Sequence, residues 1–298
     1  MECQIEVYKD LIYKHFVNIK IIGGPFVGGQ KVVFHCLYEG KQIALKIVFV
    51  PKSDNSLLDT SAEDRIMREL RIMRQVDSDH FVRLINIPFR KIKNDDGLFF
   101  MYAEEWIAGE PVRELLRNQS LGYKDAVQIG LDIGNAIEVL WQNKIIHRDI
   151  KPENIIRRDN GCYVLLDLGI AYDLSASSLT CIGGHPGTPM YMSPEQLLLD
   201  DKRKLDFRSD LYSLGIVMYE VITGINPVWN ICVKNKCNLD TYFQSNLKPR
   251  HILELEPNLN KNLASIVMRL IQKRPNLRYR KMEFFTGMLM KIQEELEA

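Results

Sequence analysis

The segment Ile146-His147-Arg148-Asp149-Ile150-Lys151-Pro152-Glu153-Asn154 is followed by the apolar run Val164-Leu165-Leu166 and then by Asp167-Leu168-Gly169. Two carboxylates on separate short loops, with a lysine two residues after the first and an amide three beyond that, suit metal-dependent transfer of a charged group. A lone Asp in such a place is most often a turn residue; the whole set at these spacings is not explained by turn chemistry. Upstream, Lys46 closes the run Ile43-Ala44-Leu45-Lys46, and Glu69 lies within Met67-Arg68-Glu69-Leu70. Glu63 shares that segment, but only Glu69 is followed by the apolar pair Ile72-Met73 that would face a core. Ahead of both lies Gly23-Gly24-Pro25-Phe26-Val27-Gly28-Gly29-Gln30-Lys31-Val32, whose glycines permit close backbone approach to phosphate.

The elements that must position these residues fall into two halves. Lys31 to Leu37 and Gln42 to Val50 are β-rich runs separated by the turn Tyr38-Glu39-Gly40-Lys41. Ala62 to Val76 carries Ile66, Leu70 and Met73 at helical spacing. Phe81 to Phe89 and Leu98 to Ala103 read as two more strands, joined through Asn94-Asp95-Asp96-Gly97. From about residue 112 the period is helical, clearest over Ala126 to Asn143, Leu211 to Thr223 and Met282 to Leu296. A sheet-rich half followed by a larger helical half is an α+β pattern.

The chain has 298 residues, 46% of them hydrophobic and 26% charged, which excludes wholesale disorder and fibrous classes. Its formal net charge of +1 argues against nonspecific nucleic-acid or anionic-membrane binding as the main activity. The six cysteines show no CxxC spacing, so reduced thiols are expected rather than a zinc site or a disulfide framework. No basic start with an apolar run marks a secretory signal, and no stretch reaches the roughly 20 apolar residues of a membrane span. A cytoplasmic protein without membrane insertion is the expectation.

These motifs, in this order, resemble the eukaryotic-type (Hanks-type) serine/threonine protein kinases in the terse form of the bacterial or viral members, from about residue 20 to about residue 280. The resemblance implies an α+β, bilobal protein-kinase-like fold: a small β-rich N-lobe over 1–104, a hinge over 105–110 and a larger helical C-lobe over 111–298, with the nucleotide cleft between. It implies ATP as donor, Mg²⁺ as the metal with Mn²⁺ as the alternative, and Ser or Thr hydroxyls of proteins, including its own, as acceptors. In that reading Asp149 orients or accepts the proton of the attacking hydroxyl, Lys151 balances charge on the phosphoryl group, and Asn154 and Asp167 hold the metal. Lys46 grips the α- and β-phosphates and Glu69 anchors it. Gly24, Gly28 and Gly29 belong to the phosphate-covering loop, here in irregular form. Ala44, Ile156, and Val32 or Val33 enclose the adenine, and Glu105 and Ile107 lie in the hinge that offers it backbone hydrogen bonds.

Several residues are scaffold or regulation on the same resemblance. Arg278 matches the arginine that pairs with Glu195 of Ser193-Pro194-Glu195, and Asp210 matches the buried helix aspartate behind the catalytic loop. Arg148 resembles the arginine that pairs with a phosphorylated activation segment, for which Ser175, Ser177, Ser178 and Thr180 are the candidates; Thr188 resembles the threonine that bonds the catalytic loop. Leu168 stands where Phe is commoner. Glu104 occupies a position behind the adenine that is usually apolar, and a buried carboxylate without a partner costs several kcal/mol or shifts its pKa. Either Glu104 has a partner, or the hinge register moves by one. The rival readings are a catalytically silent scaffold of the same fold and a small-molecule kinase. Lys46, Glu69, Asp149, Asn154 and Asp167 together weigh against the first, and the Thr188 to Glu195 segment against the second.

Overall fold

A computed structural model describes residues 2–28, 31–52, 64, 66–67, 70–71, 73–167, 188–198 and 205–297. Among these, one compact unit takes the residues up to Gln75 together with Val82–Ile107, and a second takes Val76–Phe81 and the residues from Ala108 onward.

The first unit is built on strands β1 (Ile19–Gly28), β2 (Lys31–Tyr38), β3 (Lys41–Pro51), β4 (Leu84–Lys93) and β5 (Gly97–Glu105), antiparallel in the order β1-β2-β3-β5-β4. Alternation along the strands separates two faces. One face buries Val32, Phe34, Cys36, Ile43, Leu45, Ile47, Phe99, Met101 and Ala103. Helix α1 (Glu2–His15) covers it with Ile12, and Phe16 just beyond the helix joins the same core. Each of those two side chains contributes about 1.5–3 kcal/mol by leaving water. The opposite face carries Val33, Ala44, Lys46, Tyr102 and Glu104, as the unbroken β2-β3 and β3-β5 registers require.

Helix α1 and strand β1 were not foreseen, although Ile5, Tyr8 and Ile12 already recur at helical spacing. The glycine-rich stretch is drawn into β1, with register shifts between Ile21 and Gly23 and between Gly23 and Phe26. Gly24 has φ +93°, and a β-carbon there would lie 2.9 Å from the carbonyl oxygen of Val33. Its glycine therefore serves strand packing against β2. The fourth strand begins three residues later than expected, because Phe81 instead bridges Leu165 in the second unit. The described residues of the expected helix, 64, 66, 67, 70, 71 and 73, are helical, with Ile66, Leu70 and Met73 buried.

The second unit holds a small sheet of β6 (Gly109–Pro111), β7 (Ile155–Arg158) and β8 (Tyr163–Leu165). Next to it lie α2 (Val112–Arg117) and α3 (Tyr123–Gln142); α4 (Phe207–Thr223) and α6 (Met282–Glu297) pack on α3, and α5 (Lys261–Leu270) on α4. Helix α4 buries every residue from Phe207 to Val221 except Arg208, the pattern of a helix at the centre of its unit. Asp206 caps its start by accepting from the Arg208 amide, and Gly224 ends it in the left-handed region at φ 70°. A β-carbon on Gly215 would fall 2.5 Å from the Leu270 β-carbon, so glycine lets α4 and α5 approach closely. No single helix among the described residues is long and apolar enough to cross a membrane.

Candidate active site

Between α3 and β7 the chain is held from behind by one carboxylate. Asp210, fully buried on α4, accepts from the His147 amide through Oδ2 and from the Arg148 amide through Oδ1, both at 2.8 Å. Burial pushes this carboxyl up to about 7, against the two amides, which favour its charged form. Arg148 takes φ 68° and its carbonyl accepts from Gln196 Nε2 at 2.8 Å, so the backbone turns sharply just before Asp149. His147 Nδ1 accepts from the Asp149 amide at 3.3 Å, which leaves Nε2 as the protonated nitrogen, donating to the Leu166 carbonyl at 2.9 Å. The imidazole thereby joins the two loops that carry Asp149 and Asp167.

The Asp149 carboxylate is gripped on two sides. Lys151 Nζ donates to Oδ1 at 2.9 Å and to Oδ2 at 2.8 Å. Asn154 Nδ2 donates to Oδ2 at 2.9 Å and to the Asp149 carbonyl at 2.8 Å. With its amide nitrogen committed, Asn154 presents Oδ1 as an acceptor, the atom a hard cation would take. Asp167, at φ 52°, follows Leu166, whose amide donates to the Asn154 carbonyl at 2.8 Å. Asp149, Lys151, Asn154 and Asp167 thus belong to two loops tied together by backbone and imidazole hydrogen bonds. Ile156 lies on β7, paired with Val164 and Pro111.

In the first unit Lys46 forms an ion pair with Glu104, the two side chains 4% and 2% exposed. Glu104 therefore has the partner its burial demands. Val32 is a correction: it faces the α1 core, while Val33, directly opposite Lys46, shares the face of Ala44 and Lys46. A one-residue slip reverses the face of every strand residue. The Glu105 amide donates to the Arg83 carbonyl at 2.9 Å, and its carboxylate accepts from the Arg83 amide, so that amide is already committed within the sheet. Ile107 is buried at the end of the same unit. Gly28 pairs with Lys31 at the end of β1. Glu69, Gly29, Ser175, Ser177, Ser178 and Thr180 lie outside the described residues, as does the side chain of Thr188.

Two polar clusters support the second unit. Arg278, fully buried, makes the expected pair with Glu195, bidentate at 2.5 and 2.9 Å. Ser193, in place of the commoner alanine, bonds the hydroxyl of buried Ser209 at 2.7 Å. The other cluster was not anticipated. Arg113 on α2 donates to Glu153 at 2.8 Å, to Glu220 on α4 at 2.9 Å and to the Tyr191 hydroxyl, which itself bonds Glu220. Burial works against the Arg113 charge, but Tyr191, Glu220 and Glu153 outweigh it and hold the guanidinium above its ordinary value. Burial and Glu220 push the Tyr191 hydroxyl up as well. Four charged or polar residues from separate segments converge here, and only their charge complementarity hinted at it in the sequence.

Comparison with known proteins adds a family and relatives. The family described as protein kinase domain matches residues 16–288. A probable serine/threonine-protein kinase of Clostridium perfringens is 31% identical over 276 residues, covering 90% of this chain and 37% of the relative. The probable serine/threonine-protein kinase PknB of Bifidobacterium longum is 31% identical over 194 residues, covering 63% and 27%. The inhibitor of nuclear factor kappa-B kinase subunit alpha of Gallus gallus is 32% identical over 201 residues, covering 64% and 25%. The chain thus spans 25% to 37% of the length of these curated relatives.

Proposed function

Because the chain belongs to the protein kinase family, we propose that it transfers the γ-phosphoryl group of ATP to serine or threonine hydroxyls of protein substrates, itself included. The observation that carries this reading is the Asp149 carboxylate, held by Lys151 and Asn154 on a loop whose His147 and Arg148 amides donate to Asp210. In the transfer, the acceptor hydroxyl oxygen forms the new bond to phosphorus, the bond between the γ-phosphorus and the bridging oxygen breaks, and ADP leaves with that electron pair. The hydroxyl proton goes to Asp149. Lys151, within hydrogen-bonding reach of the same carboxylate, offsets negative charge on the phosphoryl group. Lys46 holds the α- and β-phosphates from its strand. Such a reaction needs positioning and charge neutralisation more than covalent help from the protein.

The metal is Mg²⁺ in this reading, with Mn²⁺ as the alternative. The donor chemistry fits: Asn154 Oδ1 and the Asp167 carboxylate are hard oxygen ligands. Among the described residues no cluster of three or more His, Cys, Asp or Glu could hold a metal, so nucleotide phosphates and water would complete the shell, as Mg²⁺ prefers. When bound, the cation neutralises charge on the phosphates. Thr188 and Lys151 support serine/threonine rather than tyrosine acceptors. Free thiols at Cys36, Cys162, Cys232 and Cys237 suit the reducing cytoplasm.

Incubation with labelled ATP, Mg²⁺ and a generic protein substrate tests the reading. Wild type should label protein, and Asp149→Asn should lower turnover by about two orders of magnitude or more with its thermal unfolding unchanged. Absence of transfer by wild type in both Mg²⁺ and Mn²⁺ would favour the silent-scaffold alternative.

A further inference from the structure

We infer that Glu104 is a positioning residue for Lys46: a carboxylate supplied by β5 that holds the buried ammonium in place and keeps it charged. The inference rests on the assignment of Lys46 as the phosphate-holding lysine.

The strand register explains the pairing. Lys46 stands opposite Tyr102, and Ala44 stands opposite Glu104, so Glu104 is the diagonal neighbour of Lys46 on one face of the sheet. Ala44 is the smallest side chain that can sit opposite Glu104 without giving up the β-carbon, and it leaves room for the carboxylate to reach along the face to Nζ. Glu104 is also paired with Leu84 on its other side, so its backbone is fixed by ladders to both neighbours. The backbone that carries this carboxylate therefore moves only with the sheet.

A buried ion pair of this kind is a poor device for stability, since the cost of desolvating both charges offsets most of their attraction. It is an effective device for placing a charge. An isolated ammonium with 4% of its side chain exposed would tend to lose its proton. The contacting carboxylate opposes that loss and restricts Nζ to one position. The other ionisable groups on this face among the described residues are Lys20 of β1, Lys31 and His35 of β2, Tyr102 of β5, and Lys91 and Lys93 of β4. His35 stacks on Trp106 at 3.7 Å and bonds Gln42. Glu69 lies outside the described residues. All of these remain in a Glu104 variant, so a change in titration between wild type and variant reads Glu104 itself.

The test compares wild type with Glu104→Gln, which keeps shape and one acceptor, and with Glu104→Asp, which keeps the charge but falls one methylene short. Turnover and KM for ATP are measured across pH, and the ε-methylene NMR signal of Lys46, identified by its loss in Lys46→Met, is titrated in nucleotide-free protein. In Glu104→Gln, kcat should fall about ten-fold or more while KM for ATP changes less than about three-fold. Both the alkaline limb of the activity profile and the Lys46 titration should move about one pH unit or more to lower pH. Glu104→Asp should show a smaller shift in the same direction. An unchanged titration or an unchanged kcat in folded Glu104→Gln overturns the inference. If that variant does not fold, Glu104→Asp decides, and an unaltered Lys46 titration there overturns it. The NMR readout needs no catalysis, so an inactive wild type would refute the proposed function while the Lys46 titration still judges Glu104.

Discussion

Replacing Arg278 by lysine keeps the charge and removes the planar fork, and the structure shows what the fork does. All five guanidinium N–H groups are used: Nε on the Gln272 carbonyl at 2.8 Å, Nη1 on Glu195 at 2.5 Å and the Arg208 carbonyl at 2.7 Å, Nη2 on Glu195 at 2.9 Å and the Lys273 carbonyl at 3.1 Å. The group also lies 4.8 Å over the Tyr212 ring. A lysine ammonium offers three donors from a single point, so at least two of these acceptors lose their partner in a site with no exposure. At about 1–3 kcal/mol for each stranded buried group, the loss is about 2–6 kcal/mol. The cost of breaking one side of a buried ion pair, about 3–5 kcal/mol, falls inside that range. Against a total stability of about 5–15 kcal/mol, this is a substantial part of what holds the fold. Urea unfolding followed by circular dichroism measures it, and the cycle with Glu195→Gln should give a coupling of about 1 kcal/mol or more. A loss under about 1 kcal/mol in Arg278→Lys would refute the argument that fork geometry, rather than charge, makes this site.

Further expectations follow from the packing. Gly215→Ala should destabilise the protein by about 1–3 kcal/mol through overpacking of α4 on α5, visible as a lowered melting temperature; an unchanged value would contradict that close approach. Phe16→Ala should cost about 3–5 kcal/mol in urea unfolding, because it empties the core between α1 and the sheet. Burial pushes the Cys36 thiol up to about 12. The neutral thiol therefore persists at a pH near 8.5, where an ordinary cysteine is half thiolate, and a thiol reagent should label Cys36 only on unfolding. Rapid labelling of Cys36 in native protein would count against its burial under α1.

The segment from His147 to Asn154 was legible in the sequence because its residue types recur at short spacing. Asp149, Lys151 and Asn154 bond one another within a few residues, so local order carries their arrangement. The long helices were legible too, α3 because it buries a face that recurs with the helical period and α4 because it is an almost unbroken apolar run of helical length. The pair of Arg278 with Glu195 was reached through a resemblance, not through any pattern in this chain. What the tertiary structure alone decided depends on register and on contacts between distant segments. Val32 and Val33 are equally apolar neighbours, and only the β2-β3 pairing assigns one to the α1 core and the other to the face of Lys46. Lys46 meets Glu104 because two strands far apart in sequence align with Ala44 opposite Glu104. Arg113, Glu153, Tyr191 and Glu220 converge from α2, the loop before β7, the segment before Pro194 and α4. A linear pattern reports which residues can pair, whereas strand register and helix packing choose which of them do, because a one-residue slip in a strand turns a side chain from one face to the other.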